Sequence, residues 1–288
     1  MPRVTVVGDA LLDVVTWPHD PIRPGADVPA DTLLGPGGQG ANIAIRLARR
    51  GVNVTLICSL ADDMAGQLVR ATLEAEGVEI AAVPATVTGA VVILTDDQGE
   101  RTMMSQRSSF AAEAANALRD DAAWLIVSGY LLLEPDAGAF VRAAAAQEAR
   151  RVLVGCAVPE DTVAGWQFAA ATLRPDLLIL NSEEAASLDA GVGHSGRVIT
   201  HAGGARASIG ALDVAVAAPD GPPAVDTTGA GDAFAAALVH GLSAGPWPPS
   251  ADVLQSALEA ASACAGDVAR TRGAQAFVVG ERGGPAPS

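Results

Sequence analysis

Short apolar segments alternate along this chain with longer stretches that are rich in alanine. The apolar segments predict strands over residues 4–7, 54–58, 124–127, 152–155, 177–180 and 198–200. The alanine-rich stretches predict helices over residues 40–50, 66–76, 136–150, 183–189, 232–242 and 251–268. Strands and helices that alternate in this way form a mostly parallel sheet with helices on both faces. We therefore expect one α/β domain over residues 1–288, a three-layer sandwich that binds its ligand beyond the carboxyl ends of the strands.

Two segments interrupt this alternation and predict a small β structure beside the main sheet. Residues 14–36 are rich in proline and glycine and have no helical period. Residues 87–105 predict a hairpin, with strands over 91–95 and 101–105 on either side of a polar turn at 96–99. We expect both segments to leave the main sheet and to form a β lid over the ligand.

Every basic residue in the chain is arginine. The 288 residues include 33 acidic and 18 basic side chains, so the net charge is −15. An acidic surface disfavours nucleic acid and anionic membranes as partners. Because lysine is absent, the chain lacks the residue that P-loop nucleotide hydrolases, protein kinases and Schiff-base enzymes require.

Cysteine spacing and hydropathy indicate a reduced cytoplasmic protein. The three cysteines are far apart and the four histidines show no metal-ligand spacing, so neither a disulfide framework nor a zinc site is expected. The N-terminal segment lacks the features of a signal peptide. The longest apolar stretch, residues 122–133, is too short to span a bilayer.

The strongest chemical signal is the run Val-Asp-Thr-Thr-Gly-Ala-Gly-Asp at residues 225–232. Gly229, Ala230 and Gly231 leave their backbone amides open at the start of a predicted helix, which suits an anion such as a phosphoryl group. Asp232 follows in the first turn, where a carboxylate with an ordinary pKa of about 3.9 stays ionised and is able to accept a proton. The alternative is an ordinary glycine-rich loop with a helix-capping Asp.

Two further segments offer polar groups suited to a polyol. Gly38 lies in a glycine-rich stretch just before a predicted helix, and Asn42 offers one acceptor and two donors near that helix start. Asp13 follows the first strand beside the predicted lid, where its carboxylate is suited to two neighbouring hydroxyls. The alternatives are a helix-terminus hydrogen bond for Asn42 and a turn position for Asp13.

Asn181 and Glu184 follow the buried strand at 177–180. They stand three residues apart at a helix start, so both can face one ligand. Oxygen ligands at a strand end suit Mg²⁺ held through water, and with it phosphates. The same residues are equally consistent with an ordinary helix N-cap followed by acidic residues in the first turn.

The segment 191–196 reads Gly-x-Gly-x-x-Gly, which is the dinucleotide-binding pattern. It follows a predicted helix and precedes a predicted strand, whereas a dinucleotide site needs the opposite order. We therefore expect no nicotinamide or flavin cofactor there.

Taken together, these segments resemble the ribokinase-like carbohydrate kinases of the PfkB family, over nearly the whole chain and in the right order. Residues 226–232 resemble the C-terminal signature of the family and residues 38–51 its N-terminal one. The resemblance implies a ribokinase-like α/β fold with a β lid, and transfer of the γ-phosphoryl group of ATP to an alcohol, using Mg²⁺. It also implies that Asp232 is the catalytic base, that residues 229–231 form the anion hole, and that Asp13, Gly38 and Asn42 bind the sugar.

The resemblance extends to the cofactors. Asn181 and Glu184 resemble the Asn-x-x-Glu pair that acts on Mg²⁺ and phosphates, with the Mg²⁺ held by Glu184 through water. The nucleotide-binding set is completed by Thr200 and Gly203, whose loop only loosely matches the Thr-x-Gly-x-x-Gly pattern of the family, and by Gly273. Where some members hold a monovalent cation such as K⁺, this chain has Asp226, Thr228 and the loop 271–273.

Three functions follow as hypotheses: a sugar kinase, a nucleoside kinase of the adenosine type, and a protein that binds sugar or nucleotide without turnover. Residues 106–110 differ from the Arg-Gly-Ala-Asn often seen in the lid of the family, so the particular sugar is not predicted. Arg101 and Arg107 read more simply as solvated charges than as contacts to a phosphorylated sugar. A homodimer through the lid, with residues 91–94 at the contact, is a further expectation.

Overall fold

Nine strands form one large sheet at the centre of the molecule. The computed structural model describes residues 3–95, 101–222, 224 and 227–271. The strands of the large sheet are β1 (Arg3–Val7), β4 (Asn53–Leu60), β5 (Glu79–Pro84), β8 (Trp124–Ser128), β9 (Arg150–Val154), β10 (Leu177–Asn181), β11 (Gly196–His201), β12 (Gly204–Ile209) and β13 (Leu212–Ala217). Their spatial order is β13-β12-β11-β10-β9-β8-β1-β4-β5.

Seven adjacent strands of this sheet are parallel to one another: β11, β10, β9, β8, β1, β4 and β5. The strands β12 and β13 join antiparallel at the edge next to β11. The central strands are apolar and buried on both faces, as in Trp124–Ser128 and Val4–Val7. Such continuous apolar runs are typical of parallel strands that are covered by helices on both sides.

Helices cover both faces of this sheet. They are α1 (Gln39–Ala48), α2 (Met64–Ala75), α3 (Ala111–Ala117), α4 (Ala137–Ala145), α5 (Val163–Leu173), α6 (Ser182–Leu188), α7 (Ala230–Ser243) and α8 (Ala251–Ala269). One core cluster contains buried side chains of α1, α2, α7 and α8, and the other contains those of α3, α4, α5 and α6. The sheet therefore forms the middle layer of the predicted three-layer sandwich.

A second sheet of four strands lies apart from the large one. Its strands are β2 (Leu11–Pro18), β3 (Ala30–Gly37), β6 (Ala90–Thr95) and β7 (Arg101–Gln106), in the order β3-β2-β6-β7. The parallel pairing of β2 with β6 joins the two segments that interrupted the strand–helix alternation. The strand β2 begins at Leu11, three residues before the predicted segment, and the predicted turn at 96–99 lies outside the described residues.

The six predicted strands of the main sheet and the six predicted helices are all present, with shifted ends. The helix predicted over 136–150 ends at Ala145, because Arg150 already begins β9. The segment 191–196 connects α6 to β11, which confirms that it lies in the wrong context for a dinucleotide loop. Within the described part of the chain, no helix combines the length and the apolar character needed to cross a membrane.

Candidate active site

A cavity of about 400 Å³ lies between the small sheet and the carboxyl ends of the large sheet. The small sheet contributes Asp13, Val91, Ile93 and Arg101 to its wall, and the start of α7 contributes residues 228, 229, 231 and 232. Gly38, Asn42, Asn181, Glu184 and Thr200 also line it. The fold thus brings most of the predicted site residues to one volume, although they are scattered over more than 200 positions of sequence.

Asp232 is held by the first turn of α1. The Nδ2 of Asn42 donates a hydrogen bond of 2.7 Å to Oδ2 of Asp232, and Asn42 itself is buried. Burial raises the pKa of Asp232 to about 6, against the lowering effects of the Asn42 hydrogen bond and of the nearby Arg46 guanidinium. The expectation of an ordinary pKa was therefore wrong, because the sequence does not show how far the carboxylate is removed from water.

The start of α7 is a tight turn of small residues. Gly229 has a φ of 70° and precedes the helix as its N-cap. The amide of Ala230 donates a 3.2 Å hydrogen bond to the carbonyl of Thr227, which closes the turn. Because the N-terminus of a helix carries partial positive charge and unpaired amides, this turn is suited to an anion in the cavity.

Asp13 lies on β2 in the small sheet, facing the cavity. A Cβ added to Gly37 would lie 2.0 Å from the Asp13 carboxyl carbon, so this carboxylate needs a glycine beside it on β3. Burial, together with the charge of Asp232, raises the pKa of Asp13 to about 7. Gly38 has a φ of 92°, and its added Cβ would lie 2.7 Å from the carbonyl oxygen of Asp9.

Asn181 and Glu184 form a capping box at the start of α6. The amide of Glu184 donates to Oδ1 of Asn181, and the amide of Asn181 donates to Oε2 of Glu184, both at 2.9 Å. The carboxylate of Glu184 packs against Gly155, where a Cβ would lie 2.5 Å from Oε2. Burial raises the pKa of Glu184. The capping interpretation is thus correct, and the same carboxylate also lines the cavity.

The remaining predicted site residues divide into three groups. Thr200 and Thr228 line the cavity, and Thr200 lies at the carboxyl end of β11. Gly203 is exposed in the tight turn between β11 and β12, where its amide donates a 3.1 Å hydrogen bond to Nδ1 of His201. Asp226 and Gly273 lie outside the described residues.

The two lid arginines, which the sequence suggested to be solvated charges, both make contacts within the protein. The Nη2 of Arg101 lies 3.3 Å from Oγ1 of Thr227, directly before the α7 turn. Arg107 forms an ion pair with Asp9, and its guanidinium carbon lies 4.2 Å from the ring centre of Tyr130. Both arginines line the cavity.

Gln39 is a further polar group at the cavity that the sequence patterns did not single out. Its Nε2 donates a 2.8 Å hydrogen bond to the carbonyl of Gly155, and its Oε1 accepts a 3.2 Å hydrogen bond from the amide of Gly129. These bonds tie the start of α1 to the ends of β8 and β9. Its position in the sequence between Gly38 and Asn42, two predicted site residues, is the signal that could have identified it.

The fold and the cavity define a lidded α/β protein that takes a small ligand at the carboxyl ends of its parallel strands. The sequence matches the model of the pfkB family of carbohydrate kinases over residues 1–279, and the chain belongs to that family. It is a carbohydrate kinase, of a family that takes ATP as phosphoryl donor.

Two curated relatives are similar over most of the chain. Fructokinase from Salmonella typhimurium is 29% identical over 303 aligned residues, which cover 94% of each protein. ATP-dependent ribose-1-phosphate kinase from Halopiger xanaduensis is 30% identical over 259 residues, covering 83% of this chain and 82% of the relative.

Solved structures share the fold at lower identity. Adenosine kinase from Sinorhizobium meliloti superposes with a TM-score of 0.77 at 21% identity, over 96% of each chain. Ribokinase from Thermotoga maritima superposes with a TM-score of 0.76 at 19% identity, over 95% of each chain. The predicted ribokinase-like fold is confirmed.

Proposed function

We propose that this protein transfers the γ-phosphoryl group of ATP to a hydroxyl of a sugar or sugar-like alcohol, inside the cavity under the lid. The observation that carries the proposal is the convergence of Asp13, Asn42 and Asp232 on one volume that also contains the start of α7. Hydroxyl-binding groups, a base and an anion cradle are the parts that phosphoryl transfer to an alcohol needs.

In this proposal Asp232 accepts the proton of the attacking hydroxyl. Its pKa of about 6 leaves most of the carboxylate ionised at neutral pH, and it makes the group a stronger base than an exposed Asp. Asn42 fixes the carboxylate through a hydrogen bond to Oδ2, which orients it for the hydroxyl. The amides of Gly229 and Gly231 stabilise the charge on the phosphoryl oxygens, whereas the amide of Ala230 already donates to the Thr227 carbonyl.

The residues proposed to bind ATP are Asn181, Glu184 and Thr200, which line the same cavity. The half-buried Glu184 carboxylate fits Mg²⁺ held through water, because Oε2 is already engaged by the Asn181 amide and one oxygen remains for water. Mg²⁺ would neutralise charge on the phosphates. Gly203 and Gly273 remain proposed nucleotide contacts, and Thr228 and Asp226 a proposed monovalent-cation site.

A phosphorylated sugar is a second candidate substrate. Arg101 and Arg107 both reach the cavity from the lid side, and guanidinium groups are well suited to phosphate. The related ribose-1-phosphate kinase acts on such a compound. Because the chain carries a net charge of −15, an anionic substrate depends on these local cations.

A nucleoside kinase and a binding protein without turnover remain alternatives. The adenosine kinase that shares the fold is the reason to test nucleosides. For a protein without turnover, an ionised Asp232 hydrogen-bonded beside the cavity would have no function.

A homodimer through the lid also remains a proposal, but with contact residues other than the predicted 91–94. Val91 and Ile93 are buried within the small sheet at 2% and 3% exposure, so they face inward. On the opposite face of the small sheet, Leu34 and Met104 expose their apolar side chains, whereas the exposed Met103 lies beside Ile93 and lines the cavity. A lid contact between two copies would use that outer surface.

The test is ADP release by the purified protein with MgATP and a matched panel of pentoses, hexoses, sugar phosphates and nucleosides. The proposal expects turnover with one or more sugars or sugar phosphates, and none with the Asp232→Asn variant. Turnover confined to nucleosides would support the nucleoside kinase instead. Binding of ATP and sugar with no ADP formed from any compound would contradict phosphoryl transfer.

A further inference from the structure

Three arginines lie at the C-terminal end of α1, Arg46 in its last turn and Arg49 and Arg50 directly after Ala48, and only one of them is buried. Arg46 is 7% exposed. Arg49 forms a bidentate pair with Glu76, at 2.7 and 2.6 Å. Arg50 donates a 2.8 Å hydrogen bond to the carbonyl of Arg46 and a 2.9 Å hydrogen bond to the thiol of Cys264. The buried Arg46 guanidinium is therefore the unusual member of the three, because burial of a charge is costly unless an opposite charge faces it.

The geometry of α1 directs Arg46 toward Asp232. Asn42 and Arg46 are four residues apart, so they lie on the same face of the helix, one turn apart. Side chains on a helix lean toward its N-terminus, so the long arginine chain extends back over Asn42. Asn42 is in direct contact with Asp232 at 2.7 Å, and α1 packs along α7. The electrostatic partners agree: burial lowers the pKa of Arg46, and Cys264 and Asp232 raise it.

Among the described residues, the other groups that interact electrostatically with Asp232 are two carboxylates and the phenol of Tyr130. Glu184 at the start of α6 and Asp13 on β2 both interact with it unfavourably when ionised. From α1, Gln39 and Asn42 supply neutral hydrogen-bonding groups and Arg46 supplies positive charge. Without this cation, a half-buried carboxylate would face two like charges and favour its protonated form.

We propose that Arg46 is a positioning residue, whose buried guanidinium, one helical turn along α1 from Asn42, keeps Asp232 ionised and aligned for proton removal. The inference rests on the proposed function, in which Asp232 is the base. It assigns a role to a residue inside the helical core that does not line the cavity. Arg46 acts through Asp232 and Asn42, and touches no substrate.

The first test is the pH dependence of kcat for Arg46→Met, with Arg46→Lys as the conservative variant and Arg49→Met as the matched control on the same helix. Loss of the cation moves the acid limb of the Arg46→Met profile toward higher pH by about one unit, which is about a fivefold loss of kcat near pH 6 and about a tenfold loss well below it. Above pH 8.5 most of that loss disappears. The Arg46→Lys variant restores most of the profile, and Arg49→Met keeps the wild-type limb.

The second test does not depend on activity. Melting temperatures are measured for Arg46→Met, Asp232→Asn and the double variant at pH 8.5 and pH 4.5. The two substitutions are expected to be non-additive at pH 8.5, where Asp232 is charged, and additive at pH 4.5, where it is protonated. If Arg46→Met does not fold, Arg46→Gln takes its place in both tests.

An equal loss of kcat at every pH, together with additive melting temperatures at pH 8.5, would overturn the inference and leave Arg46 a packing residue. That result would leave the proposed base untouched. If Asp232→Asn retains wild-type turnover, the base assignment itself fails, and the melting temperatures still report whether the two charges are coupled.

Discussion

The side-chain amide of Asn42 donates a 2.7 Å hydrogen bond to the carboxylate of Asp232, across 190 positions of sequence. This bond joins the first turn of α1 to the first turn of α7. The two glycine-rich segments at the opposite ends of the sequence therefore form one site. The proposed base has a fixed orientation because its partner amide is buried.

Replacement of Asn42 by alanine is expected to lower kcat by roughly tenfold to a hundredfold, because a hydrogen bond to a charged group contributes about 1.5–3 kcal/mol. The loss should be greatest at low pH, since this bond also lowers the pKa of Asp232. Steady-state kinetics from pH 5.5 to 9 measure it. The exposed Asn116→Ala on α3 is the control, and equal activity of the two variants would refute the role of the bond.

Asp13→Asn is expected to raise the melting temperature at pH 8 and to raise KM for the acceptor. The folded-state pKa of Asp13 is about 7, above its ordinary 3.8, so between these values the folded state binds the proton more tightly. The free energy of unfolding of the wild-type protein therefore falls as pH rises through this window. The Asp13→Asn variant does not lose this stability, because its side-chain amide does not titrate. Thermal melts from pH 4 to 8 follow it, with the exposed Asp20→Asn as control. A constant difference between Asp13→Asn and wild type across that range would contradict the shift.

Gly38→Ala is expected to destabilise the fold more than Gly51→Ala. Both glycines have positive φ, 92° and 73°, but a Cβ at Gly38 meets the Asp9 carbonyl at 2.7 Å whereas one at Gly51 meets nothing within 4 Å. We expect about 1–2 kcal/mol for Gly51→Ala from backbone strain alone, and more for Gly38→Ala. Urea unfolding measures both, and equal midpoints would show that the close approach does not matter.

Glu184→Gln is expected to raise the Mg²⁺ concentration needed for half-maximal activity, because the amide keeps an acceptor for the Asn181 backbone but loses the charge. Glu183→Gln, on the exposed neighbour, serves as the control. Magnesium titrations at fixed ATP compare them. An unchanged requirement in Glu184→Gln would leave the residue with its capping role only.

The strand–helix alternation was enough to predict six of the nine strands of the large sheet, because parallel strands buried on both faces leave a clear apolar pattern. Two of the missed elements are less apolar or shorter, although the eleven-residue helix α5 was also missed. Leu212–Ala217 alternates between half-buried and exposed positions at the sheet edge, and Ala111–Ala117 is a seven-residue helix without a pronounced apolar face. Neither differs enough from a loop in sequence alone.

The candidate site was predictable where small residues and helix caps mark it in the sequence, as at Gly229 and Asn181. It was not predictable where charge depends on burial. The raised pKa values of Asp13 and Asp232 arise from removal from water and from mutual repulsion, and neither is visible before the chain folds. The contacts of Arg107 with Asp9 and Tyr130 likewise require the lid to be in place.

The most direct measurement is single-turnover phosphoryl transfer by Asp232→Asn with the best acceptor from the panel, beside calorimetric binding of ATP to the same variant. Loss of a general base predicts a fall in rate of about 10²–10⁴-fold, with ATP affinity within a few fold of wild type. A rate close to that of the wild-type protein would contradict the assignment of Asp232 as the base.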